Sequence, residues 1–407
     1  MTNQSWKRNR KLLLGITGGI AAYKLPELAR AFVRREWKVE TILTEAAEKF
    51  VTPFTFSVLT GQRAWTEKDF LSDDRGVEIP HIKLAQNCEV LAIAPCTATT
   101  LSRLATADGS SLLSATVLAT RAPVLLFPSM NTDMWFNSGV QDNCEGCIRK
   151  GYTLIEPGQG QLACRDEGKG RLPDLDVLEE EILKAVCPKK DMEGMKVLVT
   201  AGPTHEYIDP VRYLSNPSSG KMGFALAKAA WYRGAEVTVV SGPVPERPPH
   251  GVRTVPVVSA EQMLEAVLEE AQSADVIIKA AAVGDYKAAS PSGQKMKRTG
   301  GKISLELAEN PDILAELAKK RKDGQILVGF AAETQDIIDN ASKKLAKKGA
   351  DLIAVNDVNA PGCGFGSDTN EVTVLDAKGI LSRISGSKEE VAELLWDLAL
   401  ERRALFP

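Results

Sequence analysis

No apolar run in these 407 residues approaches the roughly 18–20 that a membrane helix needs, so a helical span is excluded. Neither sign of charge dominates. Fifty Lys and Arg against 53 Asp and Glu leave a formal net charge of −3, spread along the chain. Without a basic stripe to follow a phosphate backbone, no nucleic-acid partner is expected. The seven cysteines (88, 96, 144, 147, 164, 187, 363) are odd in number and scattered. They suit reduced thiols in the cytoplasm, not a disulfide framework. Cys144 and Cys147 form a lone C-x-x-C pair. Lacking a second pair or a close histidine to complete a zinc site, they read as ordinary thiols in a helix or turn. The first residues, MTNQSWKRNRK, lack a cleavable small-residue site and read as a polar extension. Both common nucleotide signatures are also missing. Gly18 and Gly19 do not extend to G-x-G-x-x-G, and SSGKMG (218–223) fails the Walker A spacing.

What the chain has instead is a doubled beginning. KLLLGITGGIAAYK (11–24) runs from strand through a glycine turn to a helix, and the segment 195–223 repeats this with a longer loop. Each is followed by a second strand, near 37–44 and 235–242, completing a βαβ unit whose helix N-terminus offers free N–H groups to phosphate. Short apolar runs at 88–97, 122–130, 274–283, 325–333 and 350–357 read as strands buried on both faces. EVTVLDA (371–377) reads as an antiparallel edge strand, and 50–80 as helix and loop. The expected fold is α/β: two Rossmann-like three-layer domains, 1–189 and 190–407, with mostly parallel sheets. The charged, Pro- and Gly-containing segment 187–195 is taken as the linker. Residues 286–310 are rich in Lys, Gly and Ser. Composition makes them a solvated loop, but their length favours a mobile basic flap over phosphates.

In the first half, three segments carry chemistry. His81, in PHI (80–82), is the only histidine there; an isolated histidine is more often packed or exposed than catalytic. Asn131 lies in PSMNTDMW (128–135), which ends a buried strand, and its amide can donate two N–H bonds to a carboxylate. Cys164 sits in QLACRDEGKGRL (161–172), a glycine-bearing loop near basic residues that favours a thiolate.

Together with GGIAAYK (18–24), these blocks resemble the homo-oligomeric flavin-containing cysteine decarboxylases. The resemblance implies FMN held by Gly18, Gly19, Thr44, Pro95 and Thr97. It implies His81 as catalytic base, Asn131 as carboxylate anchor and Cys164 as the reducing or protonating thiol. The chain departs from that family at Cys96, Ser129 and Arg165 and in the loop 106–113.

In the second half, RYLSNPSSGKMG (212–223), AAAVGDY (280–286), NPDI (310–313), GFAAET (329–334) and VNDV (355–358) resemble phosphopantothenate–cysteine ligase. In this order, the two halves resemble the bifunctional enzymes of coenzyme A synthesis. Such enzymes first join cysteine to 4′-phosphopantothenate with CTP, through an acyl-cytidylate, and then decarboxylate the product. The resemblance implies Asn216 holding the acyl-cytidylate and Lys295 meeting the triphosphate. Ala281, Ala282, Asp285, Asn310, Pro311, Asp312, Ile313, Phe330, Lys344 and Lys348 would bind the nucleotide, with Mg²⁺ bridging its phosphates. Gly284 stands where Ala is usual. The partners implied are small molecules and further copies of the chain: trimeric decarboxylase contacts, dimeric ligase contacts, and a dodecamer where both form. Two other readings are a nicotinamide-dependent reductase and a non-catalytic flavoprotein. The missing fingerprint weighs against the first, and retention of His81, Asn131 and Cys164 against the second.

Overall fold

The computed structural model describes residues 5–72, 78–161, 167–297, 300, 303–333, 345, 347–357 and 366–404. The chain forms two compact units, Asn3–Pro188 and Lys189–Pro407.

The first unit is built on six strands: β1 (Lys11–Ile16), β2 (Lys38–Leu43), β3 (Trp65–Thr66), β4 (Val90–Cys96), β5 (Val124–Pro128) and β6 (Thr153–Leu154). Their order is β3-β2-β1-β4-β5-β6, and every pairing is parallel. All seven residues of β4 are buried, as its unbroken apolar run requires of a strand covered on both faces. The chain leaves β1 on one side toward β2 and returns on the other as β4. This places a topological switch point at the carboxyl ends of β1 and β4, where open α/β sheets bind ligands. A separate hairpin, β7 (Gly158–Gln161) and β8 (Glu167–Arg171), follows the sheet.

The second unit repeats the plan with β9 (Lys196–Ala201), β12 (Glu236–Ser241), β13 (Arg253–Pro256), β14 (Val276–Lys279), β17 (Ile326–Glu333), β18 (Leu352–Asp357), β19 (Thr369–Asp376) and β20 (Gly379–Ser387). Their order is β13-β12-β9-β14-β17-β18-β19-β20, parallel as far as β18 and antiparallel beyond it. Its switch point lies between β9 and β14. Two short ribbons stand apart from this sheet: β10 (Glu206–Tyr207) with β11 (Tyr213–Leu214), and β15 (Tyr286–Ala288) with β16 (Leu307–Glu309).

Four expectations change. The stretch 50–80 contains a two-residue strand, β3, too short to show any periodicity. β19 is not the edge: β20 pairs outside it, and β20 is mostly solvent-facing, so it lacks the apolar signal of a buried strand. The segment 286–310 is not a plain loop, because its two ends pair as β15 and β16. From Lys189 onward the supposed linker is tied into the second unit. Lys189 binds Asp397 (2.6 Å), Asp191 binds the buried Arg233 (2.6 Å), and Met192 is fully buried.

Cys144 and Cys147 lie on the buried side of the helix Ser138–Arg149. Burial pushes both thiols up to about 11 from an ordinary value of 9.0. Because the folded value is raised, the linked stability is complete below the unfolded value and is lost as pH rises through about 11. We expect iodoacetamide to leave both thiols unlabelled in the native chain near neutral pH and to label both after denaturation. Native labelling of Cys144, read by peptide mass, would contradict this burial.

Candidate functional site

A cleft of about 1120 Å³ opens at the switch point of the first sheet. Its floor starts where β1 ends. The Thr17 hydroxyl donates to the Pro95 carbonyl (2.6 Å) and accepts from the Thr97 N–H (3.2 Å), stitching the ends of β1 and β4 together. Gly18 and Gly19 then turn the chain. A Cβ on Gly18 would sit 2.4 Å from that of Ala46, so only glycine lets the loop after β2 approach this closely. A 3₁₀ turn, Ile20–Lys24, intervenes before the helix Leu25–Arg34, and no side chain caps its N-terminus. Ile20, Ala21, Tyr23 and Lys24 of this turn line the cleft, and no residue of the long helix does. Gly18, Gly19, Thr44 and Thr97 all line the cavity. Pro95 does not; it lies buried behind the wall, acting through its carbonyl on Thr17.

Asn131 lines the same cavity. It is the N-cap of the short helix Thr132–Phe136, where its Oδ1 accepts from the N–H groups of Asp133 (2.8 Å) and Met134 (3.4 Å). The cap fixes which end of the amide is the acceptor and turns the NH₂ end away from the helix. The β7–β8 hairpin closes on this loop: Met130 N–H donates to the Gly170 carbonyl (2.9 Å). A Cβ on Gly170, whose φ is +146°, would meet the Met130 oxygen at 2.3 Å. Asn131 is thus held from both sides. Cys164 and Arg165, between β7 and β8 in sequence, lie outside the described residues. His81 is in the helix Pro80–Asn87, half-buried, edge-on to Phe70 at 5.6 Å, and does not line the cleft. Its Nδ1 is shut from solvent and has no hydrogen-bond partner among the described residues. Ser129, one of the departures, donates its N–H to the Cys96 carbonyl (3.1 Å), so the two changed positions continue the β4–β5 pairing.

In the second unit, loops from the ends of β9 and β14 meet. Ala281 N–H donates to Thr200 Oγ1 (3.0 Å) and Ala282 N–H to the Gly202 carbonyl (2.9 Å). Asn216 Nδ2 reaches the carbonyls of Ala282 (3.3 Å) and Val283 (3.0 Å). Asn310 completes the set: its N–H donates to the Asp285 carbonyl (2.8 Å) and its Nδ2 to that of Gly284 (2.9 Å). The Asn310 Oδ1 is buried and has no partner among the described residues. At Gly284 a Cβ would meet nothing closer than 3.5 Å, so the usual alanine would fit and the glycine changes little.

Asp312, after Pro311, caps the helix Ile313–Lys320 through Ala315 N–H (3.2 Å) and pairs with Lys348 (3.3 Å). Burial alone would raise its carboxyl, but that N–H, Lys348 and Lys279 hold it below the usual range. Phe330 lies on β17 opposite Ala354. Lys221, opening the helix Lys221–Tyr232, is engaged by Asp368 at 2.7 Å. Lys295 is exposed beyond the β15–β16 ribbon, and Lys344 lies outside the described residues.

Comparison with known proteins matches both halves. The Flavoprotein family covers residues 1–187, and the DNA/pantothenate metabolism flavoprotein C-terminal domain covers 192–402. The coenzyme A biosynthesis bifunctional protein CoaBC of Vibrio cholerae is 42% identical over 400 residues, 97% of this chain and 98% of the relative. The protein of the same name from Bacillus subtilis is 42% identical over 395 residues, 95% of this chain and 97% of its own. The chain belongs to this bifunctional coenzyme A biosynthesis family. A crystal structure of a CoaBC C-terminal domain is 42% identical and covers 52% of this chain and 96% of its own, with a TM-score of 0.43.

Several residues of these sites were not visible in the sequence. Glu67 lines the first cleft beside Arg103, Ser110 and Ser111. Its Oε2 accepts from Leu112 N–H (2.9 Å) at the start of the helix Leu112–Ala119, while Oε1 is buried with no partner among the described residues. Burial raises its carboxyl, partly offset by Leu112 and Arg103. Only the polar run TEKD marks it, and that pattern describes most surface turns. Thr17 and Thr200 were hidden because a hydroxyl ending an apolar strand gives no periodic signal.

Proposed function

We propose that the first unit decarboxylates phosphopantothenoylcysteine to 4′-phosphopantetheine with FMN, and that the second makes that substrate from 4′-phosphopantothenate, cysteine and CTP. The observation that carries this reading is end-to-end membership in the bifunctional family, with a candidate site at the switch point of each sheet. We keep the domain boundary close to 189/190, with Lys189 itself on the side of the second unit through its bond to Asp397.

The first cleft suits FMN. It exceeds the roughly 300–1000 Å³ of common small-molecule sites and carries turn N–H groups and hydroxyls at one end for a phosphate. FMN, when bound, supplies the electron sink without which the carboxylate cannot leave as CO₂. Asn131 anchors the substrate carboxylate by its NH₂ end. His81, which does not line the cleft within its own chain, is the base that the family resemblance assigns, and Cys164 the thiol that completes the return to a saturated product.

In the second unit, the phosphopantothenate carboxylate attacks the α-phosphorus of CTP, releasing pyrophosphate. The amine of cysteine then attacks the acyl carbon and CMP leaves. Asn216 and the 281–285 loop it braces hold the acyl-cytidylate. Lys295 meets the triphosphate. Asn310–Ile313 and Phe330 frame the base and ribose, Asp285 contacts the nucleotide, and Lys344 and Lys348 are further nucleotide-binding residues. Mg²⁺ would enter with the CTP phosphates and supply neutralising charge there, which is how that ion usually binds.

We place the reactions in the cytoplasm, in keeping with five free cysteines among the described residues. We propose a homo-oligomer with trimeric and dimeric contacts. Exposed apolar side chains such as Phe54 and Leu71 in the first unit, and Val211 in the second, support it.

The test supplies phosphopantothenate, cysteine, CTP and Mg²⁺ to the purified, yellow protein and follows pyrophosphate and CO₂. Both products are expected. Pyrophosphate alone would leave only the second half of this reading standing, and neither would end it.

A further inference from the structure

Between β10 and β11 the chain makes a tight turn closed by Ile208 N–H on the Arg212 carbonyl (2.8 Å). At its centre Asp209 is fully buried, an unusual place for a carboxylate unless it is fully bonded. Its Oδ1 accepts from the N–H groups of Val211 and Arg212, both at 2.8 Å. Those two bonds suffice to build the turn. The other oxygen does something else. Oδ2 takes the Arg212 guanidinium (2.7 Å) and, from 87 positions along the chain, the N–H of Met296 (3.2 Å). The same guanidinium nitrogen donates to the Met296 carbonyl (3.2 Å). Four residues earlier, Ser292 N–H donates to the Ile208 carbonyl (2.8 Å). Segment 292–296, which carries Lys295, is therefore pinned at both ends to one turn. The Lys295 side chain stays exposed. That turn continues through β11 into Asn216, which braces the 281–285 loop. Burial opposes charge on Asp209, but the three N–H donors and Arg212 hold its carboxyl below the usual range.

We propose that Asp209, with Arg212, is a positioning residue of the ligase half: it fixes the backbone on both sides of Lys295 relative to the Asn216 loop. The inference rests on the ligase reading of this unit. A carboxylate is needed because the site presents only donors to it. Asparagine can still accept at Oδ1, but its NH₂ would then face the Met296 N–H and the guanidinium, donor against donor. The 292–296 segment is expected to come loose while the core strands stay intact.

The test compares Asp209→Asn, Lys295→Gln and the double variant in the full-length protein. Asp209→Asn should slow ligation on the order of 10- to 100-fold, the scale of losing a charge-assisted bond. Decarboxylation of supplied phosphopantothenoylcysteine should be unchanged. Amide exchange should speed up in the peptide around 292–297 but not in β9 or β14. If Asp209 acts through Lys295, the double variant should be no slower than Lys295→Gln alone. Wild-type ligation by Asp209→Asn, unchanged exchange at 292–297, or losses that multiply in the double variant would each overturn the proposal. Should Asp209→Asn lose protection across the whole second unit, Arg212→Gln provides the same readouts, since Arg212 is half exposed and holds the same carbonyl. Wild-type ligation by Lys295→Gln would instead count against the ligase role given to Lys295, while the exchange result still decides whether Asp209 anchors the segment.

Discussion

Asn131→Ala is expected to lower CO₂ release by two to three orders of magnitude while pyrophosphate release from CTP continues unchanged. Two losses combine. The Oδ1 cap on Asp133 and Met134 disappears, costing about 1 kcal/mol of local stability. The NH₂ end no longer meets the substrate carboxylate, and a hydrogen bond to a charged group is worth about 1.5–3 kcal/mol. Asn131→Asp separates the two effects. It keeps the cap but presents an oxygen where the amide donated, so it repels the substrate carboxylate. We expect it to fold with its flavin spectrum intact and to be as inactive as the alanine variant. Full decarboxylation by Asn131→Asp would remove the anchor role.

Asn216→Asp should be the corresponding lesion in the second half. Asn216 Nδ2 serves two carbonyls, those of Ala282 and Val283, and aspartate would aim an oxygen at both. Losing two bonds of about 1 kcal/mol each and adding repulsion predicts a 10²- to 10³-fold fall in ligation. Asn216→Ala loses the bonds without the repulsion and should fall less. Decarboxylation of supplied phosphopantothenoylcysteine should be untouched in both. The order of the two variants is the informative result. Alanine slower than aspartate would mean that Asn216 works through its Oδ1 end and not as this brace.

Much of the architecture could be read from the chain because buried parallel strands announce themselves. VLAIAPC and VLLFP are apolar at every position, since both faces of their sheet are covered. The pieces that escaped follow the opposite rule. β20 buries only one of its nine residues, β3 is two residues long, and the β15–β16 ribbon stands apart from the main sheet, so none had a buried-strand pattern to betray it. The linker misled for a different reason. Lys189, Lys190 and Asp191 look like a solvated charged run, yet their partners are Asp397, the Tyr232 carbonyl and Arg233, all remote in sequence.

By itself, the sequence determined that this protein carries two α/β units, each opening with a strand, a glycine-bearing turn and a helix, and which residue blocks carry the family resemblance. Those facts reside in local composition: glycine where backbones must pass closely, and apolar runs where strands are covered. Only the tertiary structure decided how the blocks meet. It turned the Asn131 amide by spending its oxygen on a helix cap, put Pro95 behind the wall it was expected to line, and added Glu67 to the cleft. It also tied Lys295 to a turn more than 80 residues away. Hydrogen bonds between distant loops leave no periodic trace in a chain, so geometry of this kind appears only once the chain is folded.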